Sequence, residues 1–69
     1  MTSVTLNGEP RVLPEGATVE TAVRELGEPD RGVAVAVDGE VVPRGDWAST
    51  RVRDGQQVEV LRAVQGGER

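Results

Sequence analysis

Two adjacent glycines, Gly66 and Gly67, lie close to the carboxyl end of the chain and are followed by Glu68 and Arg69. Because glycine has no Cβ, such a pair can enter a narrow channel in a partner enzyme and bring its backbone close to a bound nucleotide. A glycine carboxylate can then be activated as an acyl-adenylate, with no side chain to obstruct attack at the carbonyl carbon. The other interpretation is a loose tail without chemistry, which is common at chain ends. The spacing of the glycines leaves both interpretations open.

Reactive side chains are scarce elsewhere in the sequence. The 69 residues include neither cysteine nor histidine, which removes thiolate nucleophiles, the commonest general base and the commonest metal ligand. The 12 acidic residues are scattered, mostly in turns, and do not form the paired set in apolar surroundings that general acid–base catalysis uses. We therefore predict no catalytic residue, no metal site and no cofactor bound by this chain, and an enzyme ranks last among the function classes.

The overall charge argues against two classes of partner. The chain carries 12 acidic and 8 basic residues, for a net charge of −4, whereas nucleic acids and anionic membranes favour a basic face. No apolar run approaches the roughly 20 residues that span a bilayer. We expect no nucleic-acid partner and no membrane partner, and a cytoplasmic location because neither cysteines nor a signal peptide indicate another compartment.

The amino-terminal half contains a hairpin and a helix. Residues 3–7 alternate polar and apolar, which predicts a half-buried strand. Asn7-Gly8 then predicts a tight turn, and the return strand, 11–13, follows Pro10 and is therefore expected at a sheet edge. The next segment predicts one main helix with an N-cap threonine, a single apolar stripe and a terminating glycine: Thr18, then Val19, Ala22, Val23 and Leu26, then Gly27.

The carboxyl-terminal half contains the remaining strands. Residues 32–39 predict a central strand, 40–42 a short return strand, 46–49 a helical turn and 57–64 the final strand. This order of elements predicts an α+β fold of the β-grasp (ubiquitin-like) type, in which a mixed sheet of four to five strands carries one main helix on one face. We expect a single domain over residues 1–64 and a flexible carboxyl-terminal tail, 65–69, that carries Gly-Gly.

Two segments outside the tail are candidates for partner docking. If the outer face of the last strand is open, Leu61 together with Ala63 and Val64 forms an apolar site leading into the tail; completion of the core is the alternative for Leu61. Arg44, in the block VVPRGDW, is a further docking candidate or a solvated cation. Trp47 in the same block is expected to cap one end of a thin core.

Four stretches of the sequence together resemble the ThiS family, the ubiquitin-like sulfur carriers of thiazole formation in thiamine biosynthesis. They are SVTLNGE at 3–9, TVETAVREL at 18–26, GVAVAVDGEVVPRGDW at 32–47 and DGQQVEVLRAVQGG at 54–67. The block from Val33 to Trp47 is the most specific part. The Gly-Gly ending is less specific, because molybdopterin-type carriers and ubiquitin-like modifiers share it.

The resemblance implies a set of partners and a reaction. A ThiF-like adenylating enzyme would use ATP and magnesium to adenylate the carboxylate of Gly67. A sulfur-delivery system such as a cysteine desulfurase would convert it to a thiocarboxylate, and a ThiG-like thiazole synthase would accept the sulfur. In this interpretation Gly67, preceded by Gly66, is the sulfur-carrying terminus, and the chain is a protein cosubstrate.

The sequence departs from the family pattern after Gly67. Family members typically end at Gly-Gly, whereas here the Gly67 carbonyl is in a peptide bond to Glu68 and has no carboxylate oxygen to attack ATP. The first hypothesis is that a peptidase removes Glu68-Arg69. The alternatives are a carrier for another sulfur pathway, of the molybdopterin or amino-acid type, and a non-covalent β-grasp interaction module with an inert tail.

Overall fold

The computed structural model describes residues 1–27 and 32–62. Strands and helices follow one another in the order expected from the sequence pattern. The elements are β1 (Thr2–Leu6), β2 (Glu9–Leu13), α1 (Val19–Leu26), β3 (Val33–Val37), β4 (Glu40–Val42), a 3₁₀ helix (Arg44–Ser49) and β5 (Gln57–Arg62).

The first hairpin is closed by the predicted Asn7-Gly8 turn. Asn7 has φ of 51° and Gly8 has φ of 83°, the backbone region that asparagine and glycine tolerate best. β2 is two residues longer than predicted, because Pro10 pairs opposite Thr5 within the strand. Pro10 can join the ladder since β2 lies at the edge of the sheet, so the predicted edge position is confirmed.

Helix α1 begins and ends at the predicted caps. The Thr18 side chain accepts a hydrogen bond from the Thr21 N–H, and the Thr21 hydroxyl accepts one from the Thr18 N–H, which forms a capping box. At the other end Gly27 adopts the left-handed conformation, with φ of 74°, and donates its N–H to the Arg24 carbonyl. The helix is thereby fixed in length, and it buries Val19, Ala22 and Val23 against the sheet.

The sheet has five strands in the order β2-β1-β5-β3-β4. β1 and β5 pair in parallel, and the other neighbours pair antiparallel, so the sheet is mixed. The strand predicted as central over 32–39 is β3, which lies one place from the edge; the centre belongs to β5 because the last strand inserts between β1 and β3. With one helix on one face, this is the β-grasp fold.

A thin core of small aliphatic side chains lies between the sheet and α1. Val58 of β5 is fully buried, and Leu6, Leu13 and Val35 are 1% exposed. Trp47 closes one end of this core: it is buried, and its indole Nε1–H donates to the Val42 carbonyl at 3.0 Å. The 3₁₀ helix that carries Trp47 packs against α1 and includes two residues more than the predicted turn.

Candidate functional site

Strand β5 is the last described element before the Gly-Gly pair in the sequence. It is described as far as Arg62, five positions before Gly67. The predicted sulfur-carrying glycines Gly66 and Gly67 lie outside the described residues. So do Ala63 and Val64, the domain boundary at residue 64 and the tail 65–69.

β5 is supported along both edges before it reaches that point. On one side it pairs antiparallel with β3, in a register that runs from Val37 opposite Val58 to Val33 opposite Arg62. On the other side it pairs in parallel with β1, with Leu6 opposite Val58. Val58 and Val60 point into the core and are 0% and 5% exposed. The strand that precedes the tail is therefore a fixed element at the centre of the fold.

A side chain extends the support of β5 beyond the end of β1. The Val60 N–H donates to Asn7 Oδ1 at 2.7 Å, and Asn7 Nδ2 donates to the Val60 carbonyl at 3.2 Å. Both backbone groups of Val60 are thus bound by one carboxamide, although Asn7 and Val60 are 53 positions apart. Sequence reasoning attributed Asn7 to the turn alone.

The start of β5 is held by a second turn residue. Asp38 has φ of 50°, its Oδ1 accepts from the Gln57 N–H at 2.9 Å, and its own N–H donates to the Gln57 carbonyl at 2.8 Å. Its Oδ2 also accepts from Gln56 Nε2 at 3.3 Å. Two turn side chains, one on each side of β5, therefore bind the backbone of the same strand.

The sheet face opposite α1 presents an apolar surface near the end of β5. Leu61 is 64% exposed and lies opposite Ala34. Val41 is 72% exposed and lies opposite Ala36, whose other neighbour is Glu59. We call Ala34, Ala36, Val41 and Leu61 the open-face patch. Exposed aliphatic side chains grouped in this way are typical of a protein-docking surface, and Leu61 does not complete the core.

Arg44 lies on a different side of the molecule from Leu61. It begins the 3₁₀ helix and lines a shallow cleft on the helix side together with Glu20, Gly45 and Trp47. Of the predicted docking residues within the described ranges, Leu61 therefore belongs to the open-face patch and Arg44 does not. The described part of the chain, which omits 28–31 and 63–69, contains no cluster of three or more carboxylates suited to a metal ion and no helix long and apolar enough to cross a membrane.

Three residues of the open-face patch, Ala34, Ala36 and Val41, were not predicted as docking residues, and the sequence contains a signal for two of them. Residues 33–37 alternate valine with alanine, and this pattern places Ala34 and Ala36 together on one face. Val41 joins them only through the register of β4 against β3, which the sequence does not specify. The contact between Asn7 and Val60 had no local signal.

Comparison with known proteins identifies a family that matches this chain. The model of the ThiS family matches residues 4–67, a span that includes both glycines. The sulfur carrier protein ThiS of Thermus thermophilus is 42% identical over 64 residues, which is 93% of this chain and 98% of that protein. The thiazole synthase of Paramagnetospirillum magneticum is 39% identical over 62 residues; the match covers 90% of this chain but only 19% of that enzyme.

A solved structure agrees in fold as well as in sequence. The crystal structure of the thiamine biosynthesis protein ThiS from Geobacter metallireducens superposes with a TM-score of 0.77 at 30% identity, covering 96% of this chain and 100% of that one. The similarity in fold and the family match over residues 4–67 agree. The chain belongs to the ThiS family.

Proposed function

We propose that this chain is a sulfur carrier whose Gly67 carboxylate is adenylated, converted to a thiocarboxylate and used as the sulfur donor in thiazole formation for thiamine biosynthesis. The observation that carries the proposal is the extent of the family match, which runs from Val4 to Gly67 and ends at the second glycine. The last strand described before that glycine, β5, lies at the centre of the sheet. The chain acts as a cosubstrate, and the catalytic groups belong to its partners.

The chemistry needs a glycine carboxylate and an activating enzyme that binds ATP and magnesium. The carboxylate oxygen attacks the α-phosphorus of ATP and pyrophosphate leaves. The outer sulfur of a persulfide, supplied by a cysteine desulfurase system, then attacks the carbonyl carbon, and AMP leaves with the original oxygen to give an acyl disulfide. A thiol of the sulfur-delivery system next attacks the other sulfur of that disulfide, so that a new disulfide forms and the thiocarboxylate is released. A glycine at this position leaves the carbonyl open on both sides because it has no Cβ. We expect these steps in the cytoplasm, where the ATP is made.

The encoded sequence requires one earlier step. Gly67 is joined to Glu68 by a peptide bond, and an amide carbonyl cannot serve as the nucleophile toward ATP. We therefore propose that a peptidase cuts after Gly67 and removes Glu68-Arg69. The uncut chain is expected to be inert toward the activating enzyme.

The open-face patch supplies the docking surface for these partners. It lies on the exposed side of the strand that leads to Gly67, so a partner that covers Leu61 also stands next to the departing chain. Ala63 and Val64, which follow Arg62 in the sequence, are proposed to extend the same contact. Thiazole synthase is the partner with the most direct support, because a thiazole synthase contains a region similar to this chain within its own sequence.

Pyrophosphate exchange tests the activation step. A chain ending at Gly67, which retains every described element, should support ATP–pyrophosphate exchange with a ThiF-like enzyme. The full chain and a Gly67→Pro variant of the shortened chain should support none. Absence of exchange with the shortened chain would favour the non-covalent interaction module.

Growth of a deletion strain tests the pathway. A strain that lacks this chain should require added thiamine, and growth without thiamine would indicate another sulfur pathway.

Substitution in the open-face patch tests docking. Leu61→Asp places a charge in a surface that the partner must desolvate, so we expect the KM for the carrier to rise about tenfold or more. Val12→Asp is the matched control, because Val12 is 59% exposed on the edge strand β2, beyond β1 and away from the patch. Equal effects of the two variants would remove the patch from the docking surface.

A further inference from the structure

The backbone hydrogen bonds of the parallel ladder between β1 and β5 end at Val58, one step before Val60. Thr5 N–H donates to the Gln56 carbonyl at 3.0 Å, and Asn7 N–H donates to the Val58 carbonyl at 2.9 Å. A further step of this ladder would need one acceptor for the Val60 N–H and one donor for the Val60 carbonyl. The β1 backbone provides neither, because the chain turns back at Asn7-Gly8.

The Asn7 carboxamide replaces that missing step. Its oxygen takes the place of a strand carbonyl at 2.7 Å from the Val60 nitrogen, and its NH₂ takes the place of a strand N–H at 3.2 Å from the Val60 oxygen. A primary amide is the side-chain group that carries a neutral donor and an acceptor in the arrangement of a peptide group. Asparagine also accepts the positive φ of the turn. Position 7 thus has two separate requirements, and the turn explains only one of them.

We propose that Asn7 is a positioning residue that fixes the end of β5 and so sets the point from which the chain leaves toward Gly67. On the β1 side, Asn7 carries the support of β5 from Val58 to Val60; on the β3 side, pairing continues to Arg62. Loss of the carboxamide removes both hydrogen bonds that the Val60 backbone makes to Asn7 on the β1 side. The part of this proposal that concerns activation rests on the proposed sulfur-carrier function.

The test uses two glycine variants that differ in which end of β5 they release. Asn7→Gly keeps a residue suited to positive φ and removes the carboxamide. Asp38→Gly is the matched control: Asp38 has nearly the same φ, is likewise followed by a glycine, and binds Gln57 at the start of β5. Asn7→Asp keeps the acceptor for the Val60 N–H and loses the donor to its carbonyl.

Amide hydrogen exchange in the full chain measures the end of β5 directly. We expect Asn7→Gly to accelerate exchange of the Val60 amide at least about tenfold more than that of the Val35 amide, because two hydrogen bonds of a local contact are lost. Asp38→Gly should change the exchange rate of the Val60 amide no more than the exchange rates of the other amides of the sheet. If Asn7→Gly accelerates both amides equally, Asn7 contributes to global stability alone and the proposal is overturned.

The ATP–pyrophosphate exchange assay tests whether the contact between Asn7 and Val60 affects recognition of the carrier by the activating enzyme. In the chain ending at Gly67, we expect Asn7→Gly to raise the KM for the carrier about fivefold with little change in kcat, because more of the chain must be ordered on docking. Asn7→Asp should give an intermediate KM, and Asp38→Gly a KM near that of the parent. Equal KM values for the two glycine variants would overturn the positioning role. If the parent itself supports no exchange, the proposed function fails, while hydrogen exchange still decides the role of Asn7.

Discussion

The alternation of β5 predicts that residues on opposite faces of this strand differ sharply in their contribution to the free energy of unfolding. Val58 is fully buried at the centre of the sheet, whereas Leu61 is 64% exposed. Val58→Ala removes two carbons from the core, which costs about 1.6 kcal/mol in transfer free energy at about 0.8 kcal/mol per buried carbon. The cavity left behind adds about 1 kcal/mol. We therefore expect the free energy of unfolding to fall by about 2–3 kcal/mol.

Leu61→Ala should cost much less, although it removes more atoms. Roughly two thirds of Leu61 is already in contact with water, so we expect a loss of about 0.5 kcal/mol. Thermal unfolding should show the contrast as a decrease in Tm of about 10–20 °C for Val58→Ala and of a few degrees for Leu61→Ala.

The single tryptophan provides the assay for both variants. Trp47 is buried and is the only aromatic residue of the chain, so its fluorescence reports loss of the core directly. Urea titration followed at this residue gives the free energy of unfolding, and an unchanged m-value confirms that the extent of unfolding is the same. Equal losses for Val58→Ala and Leu61→Ala would refute the assignment of faces in β5, and with it the open-face patch.

Three further substitutions test the two caps of α1 and the buried tryptophan of the 3₁₀ helix. Gly27→Ala forces a Cβ into the left-handed conformation and should cost about 1 kcal/mol, whereas Gly45→Ala, at a position without positive φ, should cost less than about 0.5 kcal/mol; urea titration compares the two. Thr18→Ala removes the N-cap acceptor and should cost about 1 kcal/mol, while Thr18→Ser, which keeps the hydroxyl, should cost little. Trp47→Phe leaves the Val42 carbonyl without its indole donor and should lower stability by about 1–3 kcal/mol, measured by circular dichroism because the fluorescent reporter is gone.

Local signals were enough to predict the elements of the fold. The capping residues Thr18 and Gly27 bound α1 because they act on backbone groups within one turn of themselves. The Asn7-Gly8 and Asp38-Gly39 turns were readable because positive φ restricts the residue types that fit. The place of β5 at the centre of the sheet has no local signal, since parallel pairing with β1 joins residues more than 50 positions apart.

The same distinction applies to the candidate site. The alternation of β5 left open whether Leu61 is exposed or completes the core, and the structure shows that it is exposed. The nearness of Val41 depends on the register of two further strands. Arg44 was grouped with Leu61 as a docking residue, but the path of the 3₁₀ helix places it beside Glu20 on the helix side. The role of Asn7 at Val60 depends on where β1 ends relative to β5, a property of the assembled sheet.

The separation of faces lets one small sheet supply both the core and an exposed apolar surface. The inner positions of β3 and β5 contribute to the core, and outer positions of β3, β4 and β5 form the open-face patch. The sheet therefore needs no further element to present an apolar surface. β5 joins both roles, because its inner side chains anchor the strand that leads to Gly67.

The mass of the intact protein recovered from its native cells tests the central claim most directly. The account predicts a chain that ends at Gly67, and under conditions of thiamine demand a second species heavier by the replacement of one oxygen with sulfur. Treatment with an alkylating reagent should label that species and leave the unsulfurated chain unlabelled, because the chain has no cysteine. A population that retains Glu68-Arg69 throughout and never gains the sulfur increment would contradict the sulfur-carrier function.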